Sequence, residues 1–145
     1  ANFYTNVGLA RVSIHGKYGY INVNGELAIP AIYESADDFS NVGLARVRIN
    51  GKYGYINESG ELAIPAIYDE AENFIYDVTI VKKWRKWGII NKKGNIVFDI
   101  KYDKIYELKK DYIVVEIYGS MQSINYSGKI LSHRELEAIK NRNSK

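Results

Sequence analysis

Apolar and polar residues alternate along residues 44–49, so that one face is aliphatic and the other carries Arg46 and Arg48. A period of two residues is typical of a half-buried β-strand. Asn50-Gly51 follows, a pair that readily adopts the positive φ angles of a type I′ turn. The pattern therefore predicts a β-hairpin whose second strand covers residues 52–57.

A two-residue turn also fixes the register of the hairpin, because each residue before the turn then lies opposite one residue after it. The expected pairs are Ile49 with Lys52, Val47 with Gly54 and Arg46 with Tyr55. One face of the hairpin should be aliphatic, and the other should be rich in Arg and Tyr. We expect Gly54 to leave room for another chain segment to approach the aliphatic face.

A turn at residues 58–60 leads to a short third strand over residues 61–64. Pro65 should end this strand because proline cannot donate to a β-ladder. Each unit is therefore expected to be a three-stranded meander. Residues 66–74 then form a connector, whose apolar side chains should fill the gap between units while its acidic side chains face water.

The whole pattern occurs four times along the chain. The asparagine of an Asn-x-x-Gly element stands at positions 22, 57, 91 and 125, in steps of 35, 34 and 34 residues. Repeats of this length indicate units that bury their apolar faces only by stacking on neighbours. We predict one all-β domain over residues 1–145, a tandem array of about four antiparallel β-meander repeats that is solenoid-like or, alternatively, propeller-like. The expected repeats are about 3–38, 39–73, 74–108 and 109–131.

Two copies depart from the pattern. We expect the third to have its hairpin turn shortened by one residue around Arg85, and the fourth has Gln122 where the others have glycine. Residues 132–135 then have the form of a capping box, which predicts a short helix over residues 133–141 that covers the end of the array. Residues 141–145 are expected to be a frayed tail.

Composition and charge add detail to this picture. The chain holds 13 Tyr and 12 Gly but only 2 Pro, and aromatic residues and glycine suit strands and tight turns. The net charge of +3 hides a polarity, because residues 1–74 carry 5 Lys and Arg against 9 Asp and Glu, and residues 75–145 carry 15 against 8. Such polarity can steer a partner or favour head-to-tail association, although drift of solvated faces is the simpler explanation.

Several classes of protein are disfavoured by what the sequence lacks. It has no Cys and only two His, so disulfides and thiolate metal sites are excluded and a histidine metal cluster is nearly excluded. No apolar run reaches the roughly 20 residues of a membrane span, and the amino end has no signal-peptide pattern. The chain begins at Ala1, without Met and inside a repeat, so we expect a processed or truncated product. Its compartment is not indicated.

No catalytic set stands out either. His15 occupies a hairpin turn and His133 the start of the predicted helix, and the connector carboxylates lack the alternating ligands of a calcium loop. Gly51-Lys52 lies in a turn rather than at a helix start, which argues against a phosphate-binding loop. Residues 82–87 mix cations with two Trp, as single-strand nucleic-acid binders do. A solvated hairpin with one Trp in the core explains them equally well, and the modest net charge disfavours nucleic acid. We expect no catalysis, cofactor or metal.

The remaining candidate is the face rich in Arg and Tyr. These residue types are enriched at binding hot spots, and repetition would align them along the array. The alternatives are that cross-strand Arg and Tyr pairs stabilise the sheet, or that some of these Tyr are core residues between stacked units. The candidate binding residues are Arg11, Tyr18, Tyr20, Arg46, Arg48, Tyr53, Tyr55 and Trp87.

The chain resembles the WG-containing repeats of bacterial proteins. The resemblance is carried by residues 86–94, which read Lys-Trp-Gly-Ile-Ile-Asn-Lys-Lys-Gly, and by residues 51–60, where Tyr replaces Trp. It covers residues 3 to about 102 well and the fourth copy weakly. The family implies tandem short β-units that mediate interactions, with no catalytic residues to carry over.

We therefore expect a non-catalytic module that binds another protein or acts as a scaffold, with self-association as a further option. The alternative is a module for carbohydrate or a cell-envelope ligand. It is suggested by residues 50–57, which are loosely similar to the aromatic hairpins of bacterial cell-wall-binding repeats, although those repeats have a much shorter period.

Overall fold

The computed structural model describes residues 7–144 and shows an all-β array that ends in one helix. The strands fall into four small antiparallel sheets. The prediction of a tandem β-repeat followed by a short helix is confirmed. In chain order the elements are β1 Ala10–Ile14, β2 Lys17–Ile21, β3 Leu27–Tyr33, β4 Ser35–Ala36, β5 Ala45–Ile49, β6 Lys52–Ile56, β7 Leu62–Tyr68, β8 Glu70–Ala71, β9 Val78–Lys83, β10 Lys86–Asn91, β11 Ile96–Tyr102, β12 Lys104–Leu108, β13 Tyr112–Ile117, β14 Ser120–Asn125 and α1 His133–Asn143.

The central hairpin of the second sheet has the predicted register. β5 and β6 pair with Ile49 opposite Lys52 and Arg46 opposite Tyr55. The turn residues between them have φ angles of 51° and 79°, as a type I′ turn requires. The corresponding turns at residues 15–16, 84–85 and 118–119 also have positive φ at both positions. All four units therefore share one hairpin geometry.

The third unit loses its residue at a different turn from the one predicted. Trp84-Arg85 is a two-residue turn of the usual length. The shorter turn lies before β9, where Ile75 and Val78 exchange both of their backbone hydrogen bonds. It replaces the longer turn between Ser40 and Leu44 of the preceding unit.

The third strand of a unit runs past its predicted end. β7 continues through Pro65, and a register shift against β6 makes three of its residues bulge opposite Gly54. A Cβ atom on this glycine would lie 2.6 Å from the Ile64 carbonyl oxygen and 2.7 Å from Ala66 Cα. The glycine therefore gives room to a strand of its own sheet. Proline is accommodated because a bulged residue makes no ladder hydrogen bond.

Each of the two interior sheets has four strands rather than the three predicted. The sheet orders are β1-β2-β3, β4-β5-β6-β7, β8-β9-β10-β11 and β12-β13-β14. The additional strand comes from the preceding connector, since Ser35–Ala36 pairs with β5 and Glu70–Ala71 pairs with β9. A connector thus leaves one sheet and becomes the edge of the next, which ties consecutive units together.

The apolar core is divided into three clusters, each between consecutive sheets. In each of the first two clusters the aliphatic face of one sheet meets the tyrosine face of the sheet before it. Val47 shares a cluster with Tyr20, and Val81 shares one with Tyr55. Within residues 7–144 no cluster joins the first sheet to the fourth, and the two interior sheets contribute to a cluster on each of their faces.

The described part of the fourth unit replaces the third strand with a single bridge between Ile124 and Ile130. No strand bulges over Gln122, which explains why this unit dispenses with glycine. The helix begins with the predicted capping box, in which Ser132 and Glu135 each accept a hydrogen bond of 3.1 Å from the other's backbone N–H. It extends to Asn143, so most of the expected frayed tail is helical. Lys145 lies outside the described residues.

Candidate functional site

Two of the candidate binding residues, Tyr20 and Tyr55, belong to the core. They are 0% and 1% exposed, and each ring packs edge-on against a Phe of the following connector. Their hydroxyl groups donate to the carbonyl oxygens of Asp37, at 2.6 Å, and Glu72. Burial raises the pKa of both phenols. The expectation that these two tyrosines lie on an exposed face is wrong, and the alternative that they are core residues is correct.

Arg11 and Arg46 hold the connectors in place. Nη1 of Arg11 donates to the carbonyl oxygen of Ala36 at 2.7 Å, and Nη1 of Arg46 donates to that of Ala71. Nη2 of Arg46 also lies 2.7 Å from Oδ2 of Asp37. Each arginine therefore ties the first strand of a hairpin to the connector that enters the next sheet, which is a structural use of its guanidinium group.

Three further candidates, Tyr18, Tyr53 and Trp87, are half-buried aromatic residues at equivalent positions of the first three units, and we call them the ladder. A cation lies over each ring. The distances to the ring centroids are 5.5 Å for Arg11 over Tyr18, 5.4 Å and 5.9 Å for Arg46 and Arg48 over Tyr53, and 5.3 Å for Lys82 over Trp87. Such contacts contribute about 0.5–1 kcal/mol at exposed sites. Tyr18 packs against the first core cluster and Tyr53 against the second, and all three rings remain partly exposed.

The most exposed aromatic side chains lie beside this ladder, at the hairpin turns. Trp84 is 78% exposed and Tyr118 is 93% exposed. Both occupy the first position of a type I′ turn, with φ of 53° and 50°, where the first two units have His15 and Asn50. A bulky residue in the left-handed region is a conformational outlier. We call Trp84 and Tyr118 the aromatic tips.

Two cationic side chains flank the first aromatic tip, Trp84. Nζ of Lys83 lies 4.4 Å from the centroid of the Trp84 ring. Arg85 fills the second turn position with φ of 68°, where the other three units have glycine. Within residues 7–144, Lys83 and Arg85 form no ion pair. The tip therefore presents an indole ring with two cations that are available to a partner.

Carboxylates of the preceding connectors fix both aromatic tips. Oδ2 of Asp69 accepts a hydrogen bond from Trp84 N at 3.2 Å, and Oδ2 of Asp103 accepts one from Tyr118 N at 3.0 Å. The other oxygen of each carboxylate binds a lysine of its own unit, and this hydrogen bond is the main reason that the pKa of both carboxyls is lowered. Both side chains remain partly exposed, at 37% and 31%, and they fix the turns in addition, which is a role that the sequence did not indicate.

A cleft of about 770 Å³ opens at the opposite end of the strands, between the turn at residues 40–44 and the turn at residues 75–78. Phe39 and Phe74 form part of its apolar lining. Ile75 and Tyr76 also line it, and both are exposed. The cleft is thus a concave surface with accessible apolar groups.

The charged lining of the cleft is mainly acidic. The lining residues include one cation, Arg11, and three carboxylates, those of Asp37, Asp38 and Asp77. Asp37 is paired with Arg46, and Asp77 lies 4.0 Å from Lys92. Asp38 is exposed and forms no ion pair within residues 7–144.

Other kinds of site find no support in the described part of the chain. No three His, Asp or Glu side chains between residues 7 and 144 are grouped so as to hold a metal ion. His15 is an exposed turn residue, and His133 begins α1. Across the same residues, α1 is too short and too polar to cross a membrane, and no longer helix is present.

Comparison with known families identifies the architecture. The family described as WG containing repeat matches residues 18–53, 53–83 and 87–119, which is more than half of the chain. The chain belongs to the WG-containing repeat family. Its matched WG units begin at the three ladder residues, so that each unit starts in one sheet and runs through a connector into the hairpin of the next. No curated protein matches the chain at a significant level of similarity.

Proposed function

We propose that this WG-repeat protein is a non-catalytic module that binds another protein through its aromatic tips. The observation that carries the proposal is the placement of Trp84 and Tyr118, two large aromatic residues at exposed turn positions where the backbone is left-handed. Aromatic residues and Arg are the types that dominate the energetics of protein interfaces.

The folded array gains little from these side chains. A left-handed conformation costs about 1–2 kcal/mol for an ordinary L-residue. Trp84 and Tyr118 remain mostly exposed, so burial does not offset that cost. Asn50-Gly51 forms the same turn in the second unit without an aromatic residue. A binding role explains why the third and fourth units keep residues that the turn itself disfavours.

The test is a pull-down from lysate of the source organism with the full chain and with the double variant Trp84→Asn/Tyr118→Asn. Both substitutions introduce the residue that occupies the turn of the second unit, so the fold should be retained. We expect the double variant to lose at least about tenfold in affinity for captured partners, as for interface hot spots. Val23→Asn, which removes another exposed apolar side chain from a turn, is the control. Equal capture by the wild type and the double variant would contradict the proposal.

A second candidate is a module for carbohydrate or cell-envelope ligands. It is favoured by the cleft, whose lining combines Asn41 and Asn73 with carboxylates and the exposed Tyr76. Pockets with a few polar groups and aromatic walls suit small polar ligands. Sedimentation with purified cell walls and a glycan array test this candidate, and an absence of retention on both removes it.

A further inference from the structure

We infer that the partner of the Trp84 tip is a second copy of this chain, whose cleft receives the tip. The inference rests on the proposed function, because it names the partner of a site already assigned to protein binding. It is carried by two surfaces of the same molecule that complement each other in shape, apolar character and charge.

The shapes are complementary because one surface is convex and the other is concave. Trp84 and Arg85 stand at the end of a tight hairpin, where Asp69 fixes the backbone of the turn. The cleft of about 770 Å³ lies within the range of roughly 300–1,000 Å³ of pockets that hold compact organic groups. An indole ring that enters the cleft would remove the exposed surface of Ile75 and Tyr76 from water together with its own.

The charges are complementary as well. Lys83 and Arg85 flank the indole and have no ion-pair partner within residues 7–144, and the cleft offers the exposed, unpaired carboxylate of Asp38. The same polarity extends over the chain, since residues 1–74 are acidic in balance and residues 75–145 are basic. Opposite potentials of this kind favour encounter in one orientation.

The positions of the two surfaces determine the type of assembly. The tip lies at the hairpin end of the third sheet, and the cleft lies at the other end of the strands, between the second and third units. A contact between two different surfaces of identical chains is heterologous, so each copy can use its tip and its cleft at once. The expected assemblies are head-to-tail oligomers that grow with protein concentration.

Sedimentation velocity over a concentration series tests the inference on the full chain. The tip variant is Trp84→Asn/Arg85→Gly, which recreates the turn of the second unit, and the cleft variant is Asp38→Lys. We expect the wild type to associate, and we expect the tip variant to associate at least about 30-fold more weakly, as for the loss of an aromatic hot spot. The control for the cleft variant is Glu107→Lys, which makes the same change of charge at an exposed position of β12. It should associate like the wild type.

Mixing the two variants provides the sharper experiment. The tip variant keeps an intact cleft and the cleft variant keeps an intact tip, so the mixture should form one-to-one heterodimers that do not grow further. Association of the wild type should weaken as ionic strength rises from about 0.01 M to about 1 M, because the Debye length falls from about 30 Å to about 3 Å.

Three results would overturn the inference: a wild type that stays monomeric at every concentration, variants that associate as the wild type does, or a mixture that does not pair. If the wild type is monomeric but replacement of the aromatic tips still abolishes capture from lysate, the proposed function stands and only the second copy is refuted. Unchanged capture by the double variant together with a monomeric wild type would refute both, because a tip variant that keeps its cleft could otherwise still capture a second copy.

Discussion

Replacing Gly54 by alanine tests the structural reason for glycine in the second strand of the first three units. A Cβ atom there would lie 2.6 Å from the Ile64 carbonyl oxygen and 2.7 Å from both N and Cα of Ala66. Cβ atoms do not remain at such distances, so one of the two strands must move. Because the crowding atoms belong to the backbone of β7, no side-chain rotation can relieve the contact.

The expected cost follows from this geometry. Overpacking a well-packed site costs about 1–3 kcal/mol, and we expect about 2–3 kcal/mol because the backbone must shift. Gly51→Ala is the first control, since φ is 79° there and the surrounding space is open. Only conformational strain acts at that position, and it should cost about 1 kcal/mol after the lower entropy of the unfolded alanine chain is taken into account. Gln122→Ala, at the corresponding position of the unit without a bulged third strand, should change stability by less than about 0.5 kcal/mol.

Urea unfolding followed by circular dichroism measures these differences. Stacked repeats can depart from two-state unfolding, so midpoints and slopes should be compared together. The expected order of destabilisation is Gly54→Ala, then Gly51→Ala, then Gln122→Ala. If Gly54→Ala costs no more than Gly51→Ala, the bulge of β7 does not require a glycine beneath it.

Two further predictions concern the connectors. Tyr55→Phe should lower the free energy of unfolding by about 1 kcal/mol, because it removes the hydroxyl that donates to the Glu72 carbonyl oxygen. Tyr53→Phe is the control and should have little effect. Equal effects of the two substitutions in a denaturation series would contradict a stabilising role of the Tyr55 hydroxyl. The pKa of Asp69 and of Asp103 is lower in the folded chain, so their contribution to stability is present above about pH 3.9 and is lost as pH falls through the folded pKa. Thermal melts between about pH 7 and pH 2 should therefore show that the melting temperature of Asp69→Asn/Asp103→Asn falls less steeply with decreasing pH than that of the wild type. Parallel curves of melting temperature against pH would show that these carboxylates contribute nothing to stability.

Local features of the fold could be predicted from the sequence because short segments determine them. The alternation along residues 44–49 and the turn at Asn50-Gly51 were sufficient for the hairpin and its register. A capping box from Ser132 to Glu135 was sufficient for the start of α1. Each of these signals depends on backbone conformation within a few residues, which tertiary packing leaves unchanged.

Burial could not be predicted in the same way. A period of two shows that Arg46 and Tyr55 share a face, but it does not show whether that face meets water. Both faces of an interior sheet in a stack are covered, so Tyr55 is buried although an arginine lies beside it. The connector strands were missed for a related reason, because Ser35–Ala36 is too short to show any period.

Trp84 was missed as a turn residue because of an error in register. Placing the shortened turn around Arg85 removed Trp84 from the turn, although Trp84 is equivalent to Asn50 in the structure. The useful signal was the presence of an aromatic residue at a position that favours Asn or Gly. At that turn position Trp84 is disfavoured by the positive φ angle of its backbone, so the reason for its presence lies outside the turn itself.

The WG signature itself has a structural role in this chain. Its aromatic residue is half-buried beneath a cation, as Trp87 is beneath Lys82, and its glycine gives room for the bulged third strand, as Gly88 does. A Cβ atom on this glycine would lie 2.7 Å from Ile100 Cα. The turn before the signature has no such constraint beyond its positive φ angles, and its first residue differs in every unit, in the pairs His-Gly, Asn-Gly, Trp-Arg and Tyr-Gly. If the aromatic tips bind a partner as proposed, binding specificity can vary at the hairpin turns while the signature residues stay the same.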